Sequence, residues 1–331
     1  MDAVPGHLLD GDPSVRWQAL RDLTDAPAEE VAAERAKVAE EGWGARLLAE
    51  QAEDGLWDGG VYRPGWADEE RPFFDAWTGT HFVLETLRDL GADPASPAVR
   101  RAIDRVREHV LWDKGDRPYF DGETEPCVNG TVLASAAYFG AGGDRVLQAL
   151  LDRHLADGGW NCWAQGPETP SSFHSTICVL EGLRAWEAAG GADTAVRDAR
   201  LAGEEYLLER RLLRRRSSGA VIDPRFSMPS FPTRWYYDVL RALEHFRLAR
   251  PEKDPRCGEA VDLVRGKRLP SGLWNLEQHH MGPVLLDLDE EQEGYPSRWI
   301  TLRALRVLRW WDGQTPSSVQ ETAPESSVST P

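Results

Sequence analysis

The chain has 331 residues, 41% hydrophobic and 28% charged, with a formal net charge of −17. That balance argues against nucleic-acid binding as the main task, because phosphate contacts dominate such affinity. No apolar stretch is long enough to span a bilayer and no basic-then-apolar signal opens the chain, so a cytoplasmic location is expected. The four cysteines, at 127, 162, 178 and 257, form no even, closely spaced framework of the kind that staples secreted domains.

In chain order, GDPSVRWQALRDL at 11–23 predicts a short helix with Pro13 at its start, and PAEEVAAERAKVAEEG at 27–42 a charged helix ending at Gly42. These make residues 1–42 a set of capping helices. Repeats then occupy 43–312. QAEDGLW at 51–57 leads to an apolar run at 77–91, DGGW at 157–160 to one at 173–186, and SGLW at 271–274 to one at 298–310. Worn units give further runs at 127–140 and 234–246. Between them, stretches at about 95–113, 144–155, 194–213 and 255–268 carry apolar residues at helical spacing among charges. From 313 the chain has almost nothing to bury and is expected to be disordered.

A helical hairpin cannot bury its apolar face alone, so copies must stack, as an open superhelix or a closed ring. The runs after each Gly-Trp element are the more apolar and begin with Thr80, His81, Cys127, His174, Arg234 and Arg298, as if lining a shared cavity. The fold class expected is all-α, an α/α toroid of about five to six hairpins with inner helices around a central cavity.

QxxxGxW and its spacing resemble the repeats of squalene and oxidosqualene cyclases and of the β subunits of protein prenyltransferases. Only QAEDGLW is a full match; His154 and Arg268 stand where the other copies would carry Gln. The resemblance covers most of residues 40–312 and implies an isoprenoid or other apolar small-molecule ligand, with a second, helical subunit possible. Protein prenyltransferases hold a catalytic zinc with a Cys and a nearby Asp at one inner-helix start and a His at the next. By that resemblance Cys127 and His174 match the Cys and His, while Glu125 replaces the Asp.

From the residues alone, Cys127, Cys162 and His174 fall in adjacent repeats, and Cys₂His with one carboxylate or water is a plausible zinc set. Asp157 is a further candidate oxygen ligand. Each of these taken singly also reads as a core cysteine or a capping histidine. PTRW at 232–235 and PSRW at 296–299 place Thr233 and Ser297 as N-caps and leave Arg234 and Arg298 at helix starts, where an anion would offset them. Trp57, Trp160 and Trp274 are assigned to structure; Trp77, Trp235, Tyr236, Tyr237 and Trp299 are candidate cavity residues. His81 and Asp289, the latter in the acidic run DLDEEQEG at 287–294, are candidate acids.

Three readings follow. The first is an isoprenoid-handling enzyme whose zinc lowers the pKa of a thiol or water while Arg234 and Arg298 hold an anionic group. The second is a metal-free, acid-initiated terpene cyclase. The third is a toroid that only binds a ligand or protein partner.

Overall fold

The computed structural model describes residues 5–67, 76–113, 116–166, 168–191, 193–250, 252–288 and 292–314. The chain is mainly helical. Among the described residues the regular sheet is one antiparallel ladder, Trp274–Asn275 against Pro296–Ser297. The N-terminal helices are α1 (Gly6–Leu9), α2 (Pro13–Leu23), α3 (Ala28–Ala36) and α4 (Gly42–Ala49). Two interleaved series follow. One comprises α5 (Thr80–Leu90), α7 (Pro126–Phe139), α9 (Phe173–Trp186), α11 (Val239–Ala249) and α13 (Arg298–Asp312). The other comprises α6 (Pro97–His109), α8 (Asp144–Asp152), α10 (Thr194–Leu208) and α12 (Gly258–Gly266). The tail expected to be disordered lies from 315 outside the described residues, as does Asp289.

The two series differ in burial as their composition demands. Helix α7 is buried at every position from Pro126 to Ala136, whereas α6 buries the stripe Val99, Ala102, Ile103 and Val106 and keeps its arginines outside. Each Gly-Trp turn ties the series together. The indole N–H groups of Trp57, Trp160 and Trp274 donate to the carbonyls of Leu47, Leu150 and Val264 at 2.7–2.8 Å. The backbone N–H groups of the same tryptophans donate to the hydroxyls of Thr80, Thr176 and Thr301 at 3.0–3.1 Å. The turns reach this geometry through Gly55, Gly158 and Gly272, at φ +84, +98 and +85, a region that glycine enters without a Cβ penalty.

Contacts run in sequence order from α5 to α7, α9, α11 and α13. The closest approach is between α7 and α9, where a Cβ on Gly130 would lie 2.5 Å from the backbone of Cys178 and one on Gly182 would lie 2.5 Å from the carbonyl oxygen of Gly130. The N-terminal helices do more than cover an end. On α2, Trp17 and Gln18 donate to the carbonyls of Leu90 and Asp89 at the end of α5, both at 3.0 Å. From α13, Arg306 reaches Gln18 at 2.8 Å and Arg309 reaches the carbonyl of Leu23. Helix α2 thus touches both the first and the last member of the apolar series.

Two predicted boundaries need correction. The charged helix expected to end at Gly42 stops at Ala36, and Gly42 instead opens α4. The run at 234–246 is helical only from Val239, because Asp238, and not Thr233, is the cap: its carboxylate accepts from the Arg241 N–H at 2.8 Å. Arg234 instead sits in a turn at φ +52. Ser297 does cap α13, accepting from Ile300 N–H at 3.0 Å.

Gly130→Ala is expected to lower the unfolding free energy by about 3 kcal/mol, since backbone must move to admit the methyl group. Gly140→Ala, at φ +66 with nothing within 4 Å of its Cβ, should cost only about 1 kcal/mol of backbone strain. Urea titration of both variants reads the difference; equal losses would show that α7 and α9 can part.

Candidate metal centre

Two residues beyond Trp160, the turn that the tryptophan anchors delivers Cys162 to the opening of α7. Its Sγ lies 2.9 Å from Sγ of Cys127 and accepts from the Cys127 N–H at 3.3 Å and from the Ser175 hydroxyl at 3.2 Å. The Cys127 thiol faces Glu125 Oε2 at 3.7 Å. One ligand atom from each of Glu125, Cys127 and Cys162 falls within a sphere of mutual distances no greater than 4.8 Å. Cys127 is buried, Cys162 is half-buried and Glu125 is exposed, so the group opens to solvent on its carboxylate side.

The hydrogen bonds divide the two thiols electrostatically. The Cys127 S–H bond, then the Ser175 hydroxyl and the Cys127 backbone N–H, favour the Cys162 thiolate and lower its pKa despite burial. The same bond from Cys127 to Cys162, followed by burial, raises the Cys127 pKa. Burial and then Glu123 push the Glu125 carboxyl up from the ordinary range. Cys178 and Cys257, fully buried, are both pushed up to about 12 by burial.

Two expected ligands are not part of this group. His174 does open α9, but its Nδ1 accepts from the Tyr237 N–H at 2.9 Å and its ring meets Phe226, Trp235 and Tyr236 edge-on. Burial, and then Arg241, lower its pKa to about 4. Asp157 is spent on the chain itself, accepting from the backbone N–H and the hydroxyl of Ser171. Glu125 contributes the carboxylate oxygen of the group, and the Ser175 hydroxyl, which no motif marks, donates to Cys162 Sγ.

The remaining candidates scatter. His81 is held between the Tyr119 hydroxyl and Thr131 Oγ1, both at 3.1 Å, and burial lowers its pKa to about 3, which keeps the ring uncharged near neutrality and makes it a poor acid. Trp77 pins the segment after α12, its indole donating to the Met281 carbonyl at 2.9 Å and its backbone N–H to that of Pro283 at 3.0 Å. Trp235, Tyr236 and His280 form a stack with centroid spacings of 3.8 and 4.0 Å. The Tyr237 hydroxyl donates to the Leu212 carbonyl, and Trp299 stacks on Phe231 at 4.3 Å within the core. Arg298 turns outward to the His7 carbonyl of α1 at 2.9 Å. Arg234 is buried against Trp77 and Phe82.

Iodoacetamide at pH 7 is expected to label Cys162 ahead of the other three cysteines, because its thiolate is both favoured and reachable. Ser175→Ala removes a donor to that thiolate, raises its pKa and should slow labelling by roughly three- to tenfold. Peptide mapping after timed alkylation checks both. In comparisons with known proteins, no family model matches this chain and no curated protein matches its sequence.

Proposed function

We propose that the chain is an α/α toroid of the squalene cyclase and prenyltransferase β-subunit kind, an enzyme that handles an apolar, isoprenoid-like molecule beside a zinc ion held by Cys127, Cys162 and Glu125. The observation that carries the metal is the convergence of two sulfurs and a carboxylate from adjacent repeats within 4.8 Å. Support for the ring comes from the order of helix contacts and from α2, which hydrogen-bonds to α5 and is reached by α13. Among the described residues no helix is long and apolar enough to cross a membrane. A reducing, cytoplasmic setting would keep the two adjacent thiols available.

The donor set fits zinc in kind: thiolates and a carboxylate are its ordinary ligands, and three protein ligands leave a position open. When bound, the ion would supply Lewis-acid chemistry at the open end of α7. The protein's own groups prepare the site. Ser175 and the Cys127 N–H donate to Cys162 Sγ and favour its thiolate, Glu125 stands exposed on the solvent side of the pair, and both thiols would give up their protons on binding the ion. Against His174, the residue before Ser175, the Trp235, Tyr236 and His280 stack offers an aromatic wall to an apolar ligand.

An acid-initiated cyclase is the weaker reading, because His81 is neutral and doubly hydrogen-bonded. A binding toroid without catalysis is favoured by one observation: the space between α5, the turn at 231–234 and the segment at 284–288 is only about 40 Å³. A larger ligand enters there only if that segment moves.

Elemental mass spectrometry of protein purified without chelator is expected to find about one zinc per chain. Cys127→Ser and Cys162→Ser should lose it while remaining folded, and His174→Ala should retain it. Absence of metal, or its loss in His174→Ala alone, would overturn the assignment. Unfolding on chelation would mark the ion as structural and favour the binding toroid.

A further inference from the structure

The charges inside the helix layer are mostly paired. Arg241 meets Glu181 at 2.6 Å, and Arg306 meets Asp22 at 2.5 Å. Arg234 is different. It is 5% exposed, and its guanidinium makes one long hydrogen bond, to Thr86 Oγ1 at 3.4 Å. It lies 5.5 Å from the Trp77 ring centroid and 5.9 Å from that of Phe82. Glu85 and Asp89 on α5 act on it through space, but among the described residues no carboxylate lies within ion-pairing distance. Burial lowers its pKa to about 10, which still leaves it a cation near neutrality.

A buried cation without a counter-charge is costly, and here the backbone adds strain, since a non-glycine residue is held at φ +52. Strain and a charge unpaired among the described residues, both at one residue, point to a task other than stability. Arg234 lines the cavity of about 40 Å³ together with Thr86, the hydroxyl its guanidinium reaches, and with Trp77, Phe231, His279 and Leu288. That space holds roughly three waters. The acidic residue on its rim, Asp287, is exposed and makes no ion pair with Arg234.

We infer that Arg234 anchors the carboxylate of an apolar carboxylic acid, with the first carbons of the acid filling this cavity. The inference rests on the ligand-binding part of the proposed function and not on the metal. Three features select this chemistry. One guanidinium balances one negative charge, whereas a diphosphate would bury charge that no second arginine or lysine among the described lining residues offsets. The planar fork of arginine matches the two oxygens of a carboxylate. Apolar walls suit an alkyl chain and leave few donors for a polyanion.

The test uses the full chain in thermal-shift and calorimetric titrations with butyrate, its neutral isostere butyramide, inorganic phosphate and diphosphate, all at matched ionic strength. Butyrate should raise the melting temperature saturably, and the other three should not. Arg234→Met should abolish the shift and be at least as stable as the parent without ligand, because a buried unpaired cation has been removed. Arg234→Lys, which keeps the charge and loses the fork, should bind about tenfold more weakly. Equal shifts with butyramide, preference for diphosphate, no response to butyrate, or undiminished binding by either variant would overturn the inference. Metal content of the same samples separates the two ideas: zinc-free protein that binds butyrate sinks only the metal centre, and zinc-bearing protein that ignores butyrate sinks only this site.

Discussion

Everything in this molecule hangs on the doubly bonded tryptophan of the Gly-Trp turn. A tryptophan side chain fully removed from water carries a polar N–H that must find an acceptor, and the last turn of a helix has carbonyls without partners. The two needs meet in Trp57, Trp160 and Trp274, each bonded to a carbonyl ten residues earlier. The backbone N–H of the same residue takes a threonine hydroxyl on the following helix. One residue therefore satisfies the end of one helix and fixes the start of the next, and the hydrophobic burial of the indole holds both bonds in place.

That lock explains why the candidate centre forms where it does. Cys162 follows Trp160 by two residues, so its position is set by an anchored turn rather than by a free loop. Its backbone N–H also donates to Ser175 Oγ at 3.2 Å, which ties it to α9, while its sulfur faces α7. The close approach of Gly130 to the Cys178 backbone and of Gly182 to the Gly130 carbonyl brings those two helices near enough for sulfurs from different repeats to meet. Rigid elements on both sides are what a metal centre or a reactive thiol pair requires, because ligands on mobile chain give up much of their binding free energy to ordering.

The architecture was far more legible in the sequence than the site. Helical periodicity and the Gly-Trp elements mark both helix series, and the fixed interval of ten residues between indole and carbonyl keeps the motif recognisable. The threonine partners were hidden because their separations from the tryptophans are 23, 16 and 27 residues. At the centre, proximity of repeats correctly suggested that Cys127 and Cys162 meet. It could not show that the Tyr237 N–H, 63 residues on, would claim His174. Nor could it show that Ser171 would occupy Asp157. The misplaced start of α11 was avoidable: Asp238 stands immediately before the apolar run, and an aspartate there is a better N-cap than Thr233 five residues earlier.

The same misplaced helix start bears on Arg234. At a helix N-terminus, an arginine would be opposed by the dipole along the whole helix axis, and its position could be dismissed as a poor local choice. In the turn where it actually lies, no dipole argument applies. Its carbonyl accepts from Arg241 at 2.8 Å, and Arg241 is in turn held by Glu181, so the turn is locked by the paired arginine of the next helix. A paired charge thus holds one that is unpaired among the described residues in a strained conformation against two aromatic rings. Stability alone would favour removing that unpaired charge, and the surrounding chain instead restrains it beside a small apolar space.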